Sequence, residues 1–241
     1  LAKKKDEVTK SKLKKGKNYF TLIGELKLNE NSFPPESESK KSAWISRRMS
    51  LGVKVAEGYV VYAEAMGGFM GDKPSPIKVF KKTGNKEDAQ MEIAWEDRNN
   101  LDSKVLDDIS PMSFVRAYIE KKEDGKSFEQ KFLHMYDAIP YFADHLKDGM
   151  QIKVRGRIKP NYYDGKITYK KEITGISLMG EKDVPGATGI ITVIVPPDFV
   201  DKSRVKEADE LDLNVRFVDY AKEYNGHTIK DNIAYPMQLV L

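Results

Sequence analysis

Between Asp137 and Leu178 the chain reads DAIPYFADHLKDG and then MQIKVRGRIKPNYYDGKITYKKEITGISL. Met150, Ile152, Val154, Gly156 and Ile158 share one phase, and Lys153, Arg155, Arg157 and Lys159 share the other. Strict alternation of this kind demands a strand with one buried face. Asp164-Gly165 is a tight-turn dipeptide, and Ile167 to Leu178 supplies the returning strand. Ahead of the hairpin, Asp137 is the expected N-cap of a helix with Pro140 in its first turn, where a missing N–H is harmless. Ile139, Phe142 and Leu146 fall on one helical face, and Gly149 suits a left-handed stop. A helix delivering the chain into such a hairpin is how a small five-stranded barrel closes.

Strand signals also fill the chain upstream. From Phe20 to Leu28 the even positions are Phe, Leu, Gly, Leu and Leu, facing Thr, Ile, Glu and Lys. Residues 29–42 form a polar loop broken by Pro34-Pro35. Met49, Leu51, Val53 and Val55 occupy one face of a second strand. Residues 58–66 make a third, and Ile77 to Lys82 a short fourth. Residues 84–112 turn acidic, with Met91, Trp95 and Leu101 at loosely helical spacing, and predict a helical or irregular insertion. Val115, Ala117 and Ile119 then lead into Asp124-Gly125, with Phe132 to Tyr136 expected to return. After a linker at 180–189, residues 190–195 are dense in β formers. Shifted by 61 residues, Met150, Ile152, Val154, Arg155, Tyr163, Gly165 and Leu178 fall on Leu211, Leu213, Val215, Arg216, Tyr224, Gly226 and Leu239. The hairpin is therefore expected twice, the second copy within a smaller β unit. The expected domains are a disordered Lys-rich arm at 1–18, read either as solvated chain or as a non-specific phosphate-binding arm, a β-barrel at 19–180, and a linker with a small β unit at 181–241 whose chain is expected to continue past Leu241.

Composition is ordinary for a globular chain of 241 residues, with 40% hydrophobic and 32% charged residues. Zero cysteine removes disulfides and thiolate metal sites and fits a reducing cytoplasm, the expected location. No apolar run approaches membrane-spanning length, and the N-terminus lacks the apolar stretch of a secretory signal. The net charge of +4 is a property of the opening segment: residues 1–17 hold eight lysines against Asp6 and Glu7, leaving −2 for the remainder. A polyanion partner must therefore be argued from where charges sit.

Residues 153–171 place seven cations against one acid, Asp164. A single nucleic-acid strand offers phosphates and stackable base faces, so a binding groove needs cations interleaved with aromatic rings. Lys153, Arg155, Arg157, Lys159, Lys170 and Lys171 are the candidate phosphate contacts, and Tyr162, Tyr163 and Tyr169 the candidate stacking residues. The competing explanation is a solvated strand face. A second cluster comprises Trp44, Arg47, Arg48 and Lys54, with Tyr59 and Tyr62 on the next strand. Tyr59 and Tyr62 differ in parity, so one is expected in the core. Trp44 suits either a core place or a stacking platform, and Phe20, Trp95 and Phe142 are assigned to packing.

The segment from Phe142 to Leu178 resembles the final third of an OB-fold single-stranded-DNA-binding protein of the bacterial and phage replication type. The matching pieces are Leu146 to Gly149, Val154-Arg155-Gly156-Arg157-Ile158, Tyr162 to Gly165 and Glu172 to Leu178. Leu22-Ile23-Gly24-Glu25-Leu26 is similar to the family's first strand. The resemblance covers about 60 residues of the chain by the quoted motifs, in the sense of a motif match. It implies an OB-fold barrel, here with an inserted hairpin and helical segment and a second β unit, the latter pointing to a phage or mobile-element relative. It also implies that the region of Trp44, Arg47, Arg48, Lys54 and Tyr59 lines the same groove. The implied partner is single-stranded DNA, with replication or recombination proteins and a second copy of the chain as further partners. An OB-fold assembly module of a virion or other complex, or an RNA-binding protein, is the alternative.

Enzyme chemistry finds no support in the residues. His134, His145 and His227 lie far apart without ligand spacing. Met66 to Gly71 is glycine-rich but lacks the Lys-Ser/Thr of a phosphate loop. No catalytic residue, metal or cofactor is expected.

Overall fold

The computed structural model describes residues 12–82, 90–163, 166–203, 205, 210–224 and 226–240. They are mainly β and divide into two compact units. The larger comprises residues 20–157 and 171–188; the smaller takes 158–170, 189–241 and the described part of 1–19.

The larger unit begins with β1 (Tyr19–Lys27), the short β2 (Ser37–Glu38), β3 (Trp44–Ala56) and β4 (Tyr59–Met70). Alternation works as expected: Phe20, Leu22 and Leu26 of β1 and Met49, Leu51, Val53 and Val55 of β3 are buried. The expected insertion is a folded piece, not an irregular one. Its strand β6 (Gln90–Ile93) pairs antiparallel with the expected short strand, β5 (Ile77–Phe80), and the expected helical character appears in α1 (Ser103–Asp108), capped by Asp102, whose Oδ1 accepts from Val105 N at 2.9 Å. Val79, Ile93, Ile109 and Leu133 form its core. β5 is the short strand expected from Ile77; β6, four residues long, is too short for alternation to separate it from loop.

Next come β7 (Val115–Lys121) and β8 (Ser127–Phe132), which pair antiparallel around the Asp124-Gly125 turn. The returning strand ends at Phe132; the apolar residues beyond it open α2 (Met135–His145) instead. The cap is His134, three residues before the expected Asp137, and its Nδ1 accepts from Tyr136 N at 3.2 Å. Pro140 thus sits inside the helix, where it leaves the Tyr136 carbonyl without its intrahelical donor. The Arg47 guanidinium fills that vacancy, Nη1 donating to Tyr136 O at 3.3 Å. The expected apolar stripe of Ile139, Phe142 and Leu146 is buried. Gly149 turns the chain with φ of 83°, and its N–H bonds Leu26 O at 2.9 Å.

Then follow β9 (Gln151–Tyr163), β10 (Lys166–Leu178) and β11 (Gly186–Ile190). β1 pairs antiparallel with β3, β3 antiparallel with β4, and β4 parallel with β10. β9 pairs with both β10 and β1, so the cycle β1-β3-β4-β10-β9 closes. Five strands joined in that order, with a helix ahead of the fourth, make an OB-fold barrel. Gly156 lets β9 close against its neighbours: a Cβ there would run into Glu172 O and lie 2.5 Å from the Phe20 ring. β11 adds beside β1, where a linker was expected, and β7 pairs parallel with β10.

The smaller unit holds β12 (Val193–Ile194), β13 (Val200–Asp201), β14 (Asp212–Tyr224) and β15 (His227–Val240). β14 carries β12 and β13 and pairs along its length with β15. The 61-residue shift maps β9 onto β14 end for end, Gln151–Tyr163 onto Asp212–Tyr224, so the repeated hairpin is present. One boundary differs from the expectation. Residues 158–170, the outer half of the first hairpin, group with the second hairpin, not with the barrel. Residues 12–18, expected within a disordered arm, are hydrogen-bonded into the smaller unit; residues 1–11 lie outside the described residues. No helix among the described residues is long and apolar enough to cross a membrane.

Candidate nucleic-acid interface

The outer face of β3 and β4 is built by the even positions of both strands. Register places Arg48 opposite Met66, Ser50 opposite Glu64, Gly52 opposite Tyr62 and Lys54 opposite Val60. The odd positions Met49, Leu51, Val53, Ala63 and Ala65 are buried, which forces their even neighbours outward. Tyr62 is 58% exposed and Met66 60%, with Val60 beside them, so this face presents an apolar patch to solvent. Val60 and Tyr62 lean over Gly52, whose lack of a side chain leaves them room. Tyr59 is 70% exposed as well. The parity expectation that one of these tyrosines is core therefore fails. A register shift between Lys54 and Ala56 beside the turn at Gly58 frees Tyr59 from the strand's phase.

The cations of this face differ in freedom. Arg48 is exposed. Lys54 pairs with Glu57 at 2.7 Å and draws that carboxyl below its ordinary range, chiefly through the hydrogen bond. Arg47, expected to line the same groove, is half-buried and engaged by groups of the protein itself. It donates to Glu36 Oε2 at 3.0 Å, satisfies Tyr136 O and lies 4.0 Å from the Tyr136 ring centroid. Trp44 is half-buried at the start of β3, its ring lying over Gly68 with Cζ2 2.6 Å from where a Cβ would stand.

The β9 row alternates as expected, with different consequences along its length. Lys153 is tied to Asp183 at 2.5 Å, and both side chains are largely covered. That bond, helped by Gly180 N–H, holds the Asp183 carboxyl below its usual range. Arg155 is exposed, while Arg157 and Lys171 are half-buried. In the barrel's cyclic order β9 is separated from the β3–β4 face by β1 on one side and β10 on the other.

Lys159, Tyr162, Tyr169 and Lys170 belong to the smaller unit. Lys159 and Lys170 are exposed and engaged with other groups. Tyr169, expected to stack on bases, is half-buried against the core of the smaller unit. Its ring lies 5.0 Å from Phe217, its hydroxyl donates to Pro236 O at 2.6 Å, and burial pushes that hydroxyl up to about 12. Tyr162 packs 5.1 Å from Tyr224. Tyr163 ends β9, and its side chain, with Asp164 and Gly165, lies outside the described residues. The sequence-based site is thus split between two units. Met66 was omitted, and Tyr62 was set against Tyr59 for a core place; both even positions were marked by period-2 alternation along 60–66.

Among the described residues no group of His, Asp or Glu side chains is placed to hold a metal ion. No family model matches the chain, and no curated protein matches it in sequence. Among solved structures it is similar to a deletion mutant of the single-stranded DNA binding protein from Thermus aquaticus. The two are 9% identical with a TM-score of 0.31, over 94% of this chain and 75% of that one. That likeness is distant.

Proposed function

We propose that the chain binds single-stranded DNA with little sequence preference, on the outer face of β3 and β4. The carrying observation is the exposure of Tyr59, Tyr62 and Met66 beside Arg48 and Lys54 on the second and third strands of a closed OB barrel. Those strands are where OB barrels present oligonucleotide-binding surfaces. Exposed rings offer sequence-tolerant stacking, because every base has a π-face. Arg155, Arg157 and Lys171 of the same unit add positive charge. Protection of single strands in the cytoplasm during DNA replication or recombination, in a phage or other mobile element, is the setting this activity suits.

The test is fluorescence anisotropy with labelled oligo-dT of about 30 nucleotides, matched duplex and RNA, across a salt series. Neutralising about three to five phosphates on this face alone contributes about −2 to −3.5 to the slope of log K on log salt for a single strand. Salt-sensitive binding to dT with much weaker duplex binding is the expected result. RNA binding as tight as dT would shift the substrate to single strands of either sugar, since only 2′-OH contacts tell them apart. Absence of dT binding at low salt would make the tyrosine face a protein-docking surface instead.

A further inference from the structure

The lysines ahead of β1 are held in place. Lys12, Lys14, Lys15 and Lys17 are exposed, while Leu13 and Gly16 turn inward and Asn18 is buried. Asn18 is the fastening. Its Nδ2 donates to Val218 O at 2.8 Å, its Oδ1 accepts from Thr192 N at 3.0 Å, and its carbonyl accepts from Ile158 N at 3.0 Å. Lys17 N donates to the Thr192 hydroxyl at 2.8 Å, and Asn232 Nδ2 donates to Leu13 O at 2.9 Å. A Cβ on Gly16 would collide with Val218 O, so the segment needs a glycine where it meets β14. It runs from Val218 of β14 to Asn232 of β15.

Two rings accompany these cations. Tyr19 is 46% exposed at the end of the segment, and Tyr220, register partner of Asn232, is equally exposed on the face the segment reaches. Asp219 and Asp231 fall in the opposite phase of their strands, and residues 12–19 contain no acid. Four fixed positive charges with rings alongside match what a single strand offers, phosphates and base faces. A flexible arm would lose conformational freedom on binding; a fastened one has already lost it.

We propose that residues 12–19 are a fixed phosphate-tracking strap, a second contact for a single nucleic-acid strand, carried by the smaller unit. This rests on the single-strand reading of the barrel face. The experiment uses the full chain and the same dT probe. Changing Lys12, Lys14, Lys15 and Lys17 to Gln should reduce the salt slope by about 2 to 3. The control removes the same charge elsewhere, by Lys104→Gln, Lys121→Gln, Lys122→Gln and Lys182→Gln, and should change it by less than about 1. Asn18→Ala and, separately, Gly16→Val keep every lysine but undo the fastening, and each should weaken binding roughly tenfold at fixed salt with little change of slope. Equal slopes for strap and control variants would overturn the strap, as would wild-type affinity in both unfastened variants. If Tyr62→Ala weakens binding while the strap variant keeps the wild-type slope, the barrel-face function survives and the strap falls. If the unaltered chain binds no dT, both fall.

Discussion

Tyr62 and Tyr169 look alike in sequence, each a tyrosine in a strand near basic residues, yet they should respond oppositely to alanine. Tyr62 is 58% exposed on the barrel's outer face. Its removal deletes no buried contact beyond the edge of Gly52, so stability should change by about 0.5 kcal/mol or less. A lost base stack is worth about 1–3 kcal/mol, which raises Kd about 5- to 150-fold. Tyr169 packs on Phe217, itself fully buried, and its hydroxyl satisfies Pro236 O. Truncating this half-buried aromatic removes its packing on Phe217 and should cost about 1–3 kcal/mol. The assay pairs dT anisotropy with urea unfolding of the same samples. Tyr62→Ala should lose affinity with an unchanged midpoint, and Tyr169→Ala should lose its midpoint first. Tyr62→Ala binding within twofold of wild type, or Tyr169→Ala losing affinity at full stability, would refute the assignment.

Three further outcomes are expected. Arg98 grips Asp137 with two hydrogen bonds, at 2.8 and 3.0 Å, while stacking 3.9 Å from the Trp95 ring. Arg98→Ala strands a largely buried carboxylate and should cost about 3 kcal/mol or more, with little rescue by Arg98→Lys, measured by urea unfolding followed through far-UV circular dichroism. Arg47→Ala should cost about 1–3 kcal/mol because Tyr136 O loses its donor, and Pro140→Ala should recover part of that by restoring a helical N–H; additive effects in a double-mutant cycle would disprove the substitution of donors. His134 caps α2 through an unprotonated Nδ1, and burial, ahead of the opposing pull of Asp137, holds its ring below the ordinary 6.5. The unfolded chain therefore takes up a proton first, and stability should fall as pH drops below about 6.5, with His134→Asn, a cap that does not titrate, flattening that part of the profile.

Period-2 patterning reported each strand's two faces and the turn dipeptides between them. It made β1, β3, β9 and the repeated hairpin legible, since those properties are local. Helix α2 was legible only in its buried stripe. Its start was misplaced because histidine is an unusual cap, and because Pro140 is tolerated internally only through Arg47, a residue 93 positions away in the chain. Within the insertion β6 was hidden for a different reason: a strand of four residues carries too few alternations to register.

The candidate site shows where local patterning stops. Alternation says that Lys153 points away from the barrel core, and it does; it does not say that Asp183 waits there. Likewise the tyrosines of β9 and β10 read as a displayed tip. A side chain pointing out of one core is equally free to enter another, and Tyr169 enters that of Phe217 and Tyr235. The second hairpin, legible as a repeat, was the available warning. A copy of a barrel hairpin needs an apolar partner surface of its own, and the outer half of the first hairpin, with Ile158, Ile167 and Tyr169, supplies it. Once that half is assigned to packing, the aromatic surface that the barrel itself leaves for a strand is Tyr59 and Tyr62. Their strands hold fewer free cations than β9, so binding there should lean more on stacking and less on salt than the basic hairpin suggested.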